Sequence, residues 1–177
     1  MADFIELAAR RQSCRDFADK PVEHEKLVKC VEAAALAPSA CNSQPWSVVV
    51  VEDPAKVREL AAATDMLGAN KYIAAAKALF VILEEPAVLM PTIAKIMDSQ
   101  TMAKGDLGAF TLSLCLEAES LGLGTCILGL FDRPVFRKLL DIPVYKSIFL
   151  VVAVGYPASD RVRDKSRKPL SEIARFV

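Results

Sequence analysis

Histidine is almost missing from this chain: His24 is the only one in 177 residues. A hydrolase triad or a Cys/His pair needs a histidine beside a nucleophile and an orienting partner, and zinc sites draw on several such ligands. His24 stands among Glu23, Glu25 and Lys26, the setting of a solvated helix start, so we assign it neither catalysis nor metal binding, and expect no metal site. The glycine signatures of nucleotide binding are missing too. The 7 glycines form no G-x-x-x-x-G-K-[ST] and no G-x-G-x-x-G after a strand, which removes the usual P-loop and Rossmann readings. Gly122-Leu123-Gly124 reads instead as a helix stop.

There is no excess of charge of either sign. Lys+Arg and Asp+Glu are 22 each, so no global field draws the chain to nucleic acid or to an anionic membrane. An RNA-binding module would also interleave basic and aromatic residues, a pattern not seen here. The longest strongly apolar run, Ile148 to Val154, falls far short of the roughly 20 residues a membrane-spanning helix needs. Asp3 and Glu6 occupy the stretch where a secretory signal would be basic. Cys14, Cys30, Cys41, Cys115 and Cys126 form no C-x-x-C pair, and an odd number suits reduced thiols. The expectation is a cytoplasmic protein with no membrane or nucleic-acid partner.

What is abundant is apolar. The length fits a single domain, residues 1–177, and the apolar share of 53% exceeds the roughly 45–50% of soluble chains, which suggests a buried interface beyond the monomer core. Phe4 to Arg11 reads as a short helix whose terminal arginines complement its dipole, followed by a loop from Cys14 to Pro21. Leu27, Val31, Ala34 and Ala35 recur at helical spacing within residues 23–37, and Pro38 ends that helix. Ser47 to Val51 is β-branched without alternation, the mark of a strand covered on both faces, and is expected at the centre of a sheet. Asp53-Pro54 caps a helix that runs to about Ala63.

Ala78 to Leu83, Thr125 to Leu128 and Ile148 to Val154 are the other strands, with a short helix at Pro134 to Leu140. Leu107, Phe110, Leu114, Ala118 and Leu121 lie on one stripe of a long core helix. Pro86 and Pro91 leave residues 84–97 open between helix, lid and loop. The class is α+β, a small mixed sheet covered by helices.

Three segments have residue types suited to chemistry. Arg11, Ser13 and Arg15 place two guanidiniums and a hydroxyl where they could grip a phosphate, although a solvated turn has the same composition. Pro38 to Trp46 sets Ser39, Asn42 and Gln44 between prolines just before a strand. The carboxamides of Asn42 and Gln44 could read the edge of a planar heterocycle such as a flavin, or Ser39 and Asn42 could satisfy local turns while Trp46 fills the core. Lys165, Arg167 and Lys168 form a cationic knot that could complete the phosphate site, or simply be solvated. Cys14 and Cys41 lie inside two of these segments and are read as buried, inert thiols.

Together the segments resemble the nitroreductase family of FMN-dependent oxidoreductases over nearly the whole chain, in the right order. The family's R-x-S-x-R type motif appears as Arg11-Gln12-Ser13-Cys14-Arg15, and its P-S-x-x-N-x-Q-P-W signature as Pro38 to Trp46. Gly105 to Gly108, Leu121 to Thr125, Ile142-Pro143, Gly155 to Pro157 and Lys165 to Pro169 complete the pattern.

The resemblance implies that Arg11, Gln12, Ser13, Lys165 and Arg167 hold the FMN phosphate and that Arg15 lies near the flavin pyrimidine end. Ser39, Asn42 and Gln44 would line the flavin, and backbone at Gly129 and Leu130 would face N5, in a loop where the acidic residue of some relatives is replaced. It further implies an intertwined homodimer, with Pro38, Ser39 and Ala40 contributed across the interface. The implied reaction is ping-pong transfer from NADH or NADPH to a small acceptor such as a nitroaromatic or quinone. Flavin reductase-like or dehalogenating chemistry, and a non-catalytic FMN-binding redox sensor, are the alternatives.

Overall fold

Apolar β-branched runs become strands, and periodic stretches become helices, in a computed structural model that describes residues 3–177. In chain order these are α1 (Phe4–Arg10), α2 (His24–Ala35), β1 (Trp46–Val51), α3 (Pro54–Ala62), β2 (Ala78–Glu84), α4 (Pro91–Ala94) and α5 (Ser99–Ser120). They continue with β3 (Gly124–Leu128), α6 (Arg133–Leu139), β4 (Ser147–Gly155) and α7 (Leu170–Ile173). The architecture is α+β, as expected from the sequence. No helix among the described residues is long and apolar enough to cross a membrane.

The strands pair in the order β1-β2-β4-β3, and every neighbouring pair is antiparallel. The mixed sheet of the sequence reading is thus corrected: among the described residues, parallel pairing is confined to a bridge between Ser13 and Thr125. Val51 pairs with Leu79, so α3 leaves and returns at the same end of the sheet, and β2 must run back along β1. The position of β1 is a second correction. It lies at the edge, half-buried along most of its length, because unbroken β-branched sequence reports cover on the faces and says nothing of neighbours.

The central strand β2 shows why this sheet is stable. Its alternate residues face opposite sides: Phe80 and Ile82 pack with Leu27, Phe110 and Leu114 from α2 and α5, while Leu79 and Val81 pack with Leu60 and Phe136 from α3 and α6. Each fully buried Leu or Phe contributes about 1.5–3 kcal/mol relative to exposure. Helices therefore cover both faces.

Asp98 begins α5 by accepting from the Thr101 amide at 2.8 Å. At its other end Gly122 takes φ 76°. Leu123 N donates to Ala118 O at 2.8 Å and Gly122 N to Glu119 O at 3.0 Å, the paired bonds of a Schellman cap. Gly124, read with Gly122 as part of the stop, is instead the first residue of β3. Residues 85–98 hold one short helix, α4, which Pro91 begins. Gln100 ties this stretch down, donating to Glu84 Oε1 at 2.9 Å and accepting from the Ala87 amide at 2.8 Å.

Gly124 pairs with Gly155 at the ends of β3 and β4, and the chain from Cys14 to Phe17 lies against both. A Cβ on Gly124 would come within 2.7 Å of Cys14 Cβ and Sγ, and one on Gly155 within 2.9 Å of the Phe17 ring. Side chains at these positions would push residues 13–17 off the sheet. We expect Gly124→Ala to cost about 1–3 kcal/mol in urea unfolding, and an unchanged midpoint would show that this close approach is not required.

Candidate active site

The segment after α1 is extended, with the Cys14 amide donating to Thr125 O at 2.8 Å. This anchors Ser13 and Arg15 beside β3. Gln12 points the other way, toward the tail: its Nε2 donates to Arg161 O at 2.8 Å, and its Oε1 accepts from Arg163 N and Nε, both at 3.2 Å. Arg163 also donates to Ser13 O. Lys165 donates to Ala9 O at the end of α1. The tail is thereby stapled onto Arg11–Arg15, although some 150 residues separate them in sequence.

The staple gathers cations. Arg11, Arg15, Arg163, Lys165 and Arg167 line a groove of about 320 Å³ together with Ser13, and Asp164 is its only acid. A second groove of about 330 Å³ shares Ser13, Arg15 and Arg163 with the first and includes Pro157 and Ser159. None of Arg11, Arg15, Lys165 and Arg167 forms an ion pair among the described residues. The Lys165 ammonium is held below its ordinary range, first by partial burial and then by repulsion from Arg11 and Arg167. An anion would relieve that repulsion.

Arg15 reaches toward β3. Its guanidinium sits 5.8 Å from the centroid of the Tyr72 ring. Tyr72 Oη donates to Asn70 Oδ1 at 2.9 Å, and Asn70 Nδ2 donates to Leu130 O at 3.2 Å. Gly129 and Leu130, just past the end of β3, are both exposed.

The Pro38–Trp46 segment is built from tight turns. Ser39 Oγ accepts from the Gln44 amide at 3.0 Å. Cys41, Asn42 and Gln44 have φ of 52°, 52° and 47°, a left-handed conformation that Asn tolerates and that costs other residues energy. Asn42 and Gln44 are exposed. Trp46 packs its ring 5.1 Å from that of Phe110. The Ala40 amide donates to Asp106 at 3.1 Å, which fixes the turn to the N-terminal half of α5. Arg10, by contrast, pairs with Glu119 at 3.3 Å near the other end of that helix. At 1.5 Å per residue, those two anchor points are about 20 Å apart. One chain therefore brings Arg11, Ser13, Arg15, Lys165 and Arg167 together, with Gly129 and Leu130 linked to Arg15, and leaves Pro38, Ser39, Ala40, Asn42 and Gln44 apart.

The cysteines divide. Burial pushes the Cys14, Cys115 and Cys126 thiols up, and Cys30 to about 12. Cys41 is exposed, which corrects its reading as a buried thiol: it stands in the tight turn Ala40–Asn42, which has no buried residue. His24 is exposed and lies 3.0 Å from Glu52, as befits a solvated helix start. Sequence reasoning missed Arg163, Asn70 and Tyr72. The tail's basic character was a signal for Arg163, whereas Asn70 and Tyr72 belong to no motif and reach the site through Leu130 and Arg15, which are distant in sequence.

Residues 8–156 match the model of the Nitroreductase family. A protein of Archaeoglobus fulgidus with the provisional name NADH dehydrogenase/NAD(P)H nitroreductase is 30% identical over 165 residues, spanning 91% of this chain and 89% of its own. The FMN reductase (NAD(P)H) of Bacillus subtilis is 27% identical over 96% of this chain and 71% of its own. The crystal structure of a nitroreductase family protein from Streptococcus pneumoniae TIGR4 shares the fold, with a TM-score of 0.84 at 24% identity over 99% of this chain and 100% of that one. By its family match, its relatives and its fold, this chain belongs to the nitroreductase family.

Proposed function

We propose that the chain is a single FMN-binding domain, residues 1–177, that works as a homodimeric oxidoreductase in the cytoplasm, passing electrons from NADH or NADPH to a small acceptor. The observation that carries this reading is the groove in which Arg11, Lys165 and Arg167 meet without an ion-pair partner among the described residues. Such a cluster suits the dianionic phosphate of FMN, which guanidiniums bind through charge-assisted, partly bidentate hydrogen bonds. FMN, when bound, would supply the redox chemistry for a ping-pong transfer of reducing equivalents from NADH or NADPH to a nitroaromatic, quinone or similar acceptor.

We assign roles to this chain's residues from their places. Arg11, Lys165, Arg167 and the Ser13 hydroxyl hold the phosphate. Gln12, through its bonds to Arg161 and Arg163, holds the tail that brings Lys165 and Arg167 into position. Arg15 supplies positive charge at the pyrimidine end of the ring, where reduction places negative charge. The exposed backbone of Gly129 and Leu130 is assigned to the ring edge that accepts the hydride.

Pro38, Ser39, Ala40, Asn42 and Gln44 are assigned to the site of the partner subunit, since about 20 Å of α5 separates their anchor from that of α1 in their own chain. A dimer is further supported by one face of α5. Gly105 and Gly108 have open space where a Cβ would be, and Leu112, on the same face at helical spacing, is a large apolar side chain left 49% exposed.

The decisive test is the visible spectrum of the purified protein under anaerobic conditions, before and after NADH or NADPH is added. A flavin spectrum that bleaches is expected. Bound flavin that resists both nucleotides would favour the sensor, and failure to take up added FMN would refute the reading. Arg11→Ala or Arg167→Ala should weaken FMN binding by about 10- to 100-fold with the dimer intact, as read by fluorescence titration and sedimentation. Leu112→Glu should shift the protein toward monomer in sedimentation velocity and loosen FMN with it; an intact dimer would remove this face of α5 from the interface.

A further inference from the structure

Asn70 and Tyr72 lie outside every motif, yet they join two pieces of the proposed site. Asn70 is buried, and both ends of its carboxamide are engaged: Nδ2 donates to Thr64 O at 2.9 Å and to Leu130 O at 3.2 Å, while Oδ1 accepts from Tyr72 Oη at 2.9 Å. Tyr72 in turn presents its ring to the Arg15 guanidinium, 5.8 Å from the centroid, and its Oη lies 3.8 Å from Cys126 Sγ in β3.

The loop after β3 has a second anchor from the same stretch of chain, the Asp132 amide donating to Ala63 O at 2.9 Å. Residues 63–72 thus contact both the loop after β3 and Arg15. Arg15 is exposed, and the Tyr72 ring restrains its guanidinium from swinging freely into solvent.

We propose that Tyr72 and Asn70 are positioning residues that fix the Arg15 charge and the Gly129–Leu130 backbone relative to one another before FMN binds. This rests on the FMN reading above. A fixed cation favours the anionic reduced ring over the neutral oxidised ring, because its field costs no reorganisation when charge appears. The aromatic face holds the guanidinium by a cation–π contact, and the Tyr72 hydroxyl passes the constraint to Asn70. Tyr72 therefore acts through Arg15, and its effect should be visible in the preference between the two redox forms.

The test compares affinities for oxidised FMN and for dithionite-reduced FMN in anaerobic titrations of the full-length protein. Tyr72→Leu, which removes both ring and hydroxyl, should weaken binding of reduced FMN about tenfold and leave oxidised FMN within about twofold. Tyr72→Phe, which keeps the ring and so the fold, should shift the preference in the same direction by less. In an Arg15→Met background neither change should alter the preference.

In the flavin-free protein, Asn70→Ala should raise hydrogen exchange at the amides of residues 129–131 while β3 stays protected. Equal weakening of both redox forms, a preference shift that survives Arg15→Met, or unchanged exchange in the loop would overturn the assignment. A wild-type protein that takes up no FMN in either form would instead overturn the FMN reading itself.

Discussion

Gly124 and Gly155 face each other across the ends of β3 and β4, and the missing side chains make a shallow trough in the edge of the sheet. The chain from Cys14 to Phe17 lies in that trough, held by bonds from the Cys14 amide to Thr125 O and from the Ala18 amide to Tyr156 O, both 2.8 Å. Everything charged in the groove takes its position from this seating. Ser13 and Arg15 flank the seated Cys14, and Arg163 folds the tail back onto Gln12 and Ser13. The buried Cys14 and Phe17 are the weight-bearing apolar part of an otherwise polar segment.

That arrangement concentrates positive charge at a cost. Gathering Arg11, Lys165 and Arg167 around one groove opposes folding through mutual repulsion, which adds to the larger effect of burial in lowering the affinity of Lys165 for its proton. A protein with equal numbers of acids and bases could have paired these cations locally, as it pairs Arg10 with Glu119 and Lys77 with Asp19. Leaving them unpaired makes physical sense for a site that waits for an anion. The tail is the adjustable part, since its only regular element is the short α7 and its place depends on side-chain bonds from Gln12 and Arg163.

The long helix α5 sets the second scale of the molecule. It is the spine of one face of the core, with Leu107, Phe110 and Leu114 fully buried, and it keeps the Ala40 turn and the α1 arginines at opposite ends. The strained backbone at Cys41 and Gln44 is held by Ser39, by Asp106 and by the packing of Trp46 on Phe110. A turn so constrained, with its carboxamides exposed, is suited to meeting a group supplied from outside its own chain.

Much of this was legible in the sequence because the signals are local. Asp53-Pro54, Pro134 and Gly122 mark helix ends through their own backbone chemistry, and the β-branched runs mark strands through their shape. The spacing Arg11, Ser13, Arg15 and the string from Pro38 to Trp46 likewise identified the family without coordinates. Pairing is different. That β1 lies at the edge, that the sheet runs antiparallel, and that Gln12 grips the tail depend on which distant segments meet, information no window of sequence contains. The sequence by itself determined the elements, the α+β class and the chemical types at the site. Only the tertiary structure decided that Arg163 staples the tail, that Tyr72 and Asn70 link Arg15 to the Gly129–Leu130 loop, and that one chain holds its two groups of motif residues apart, because each follows from contacts between residues far apart along the chain.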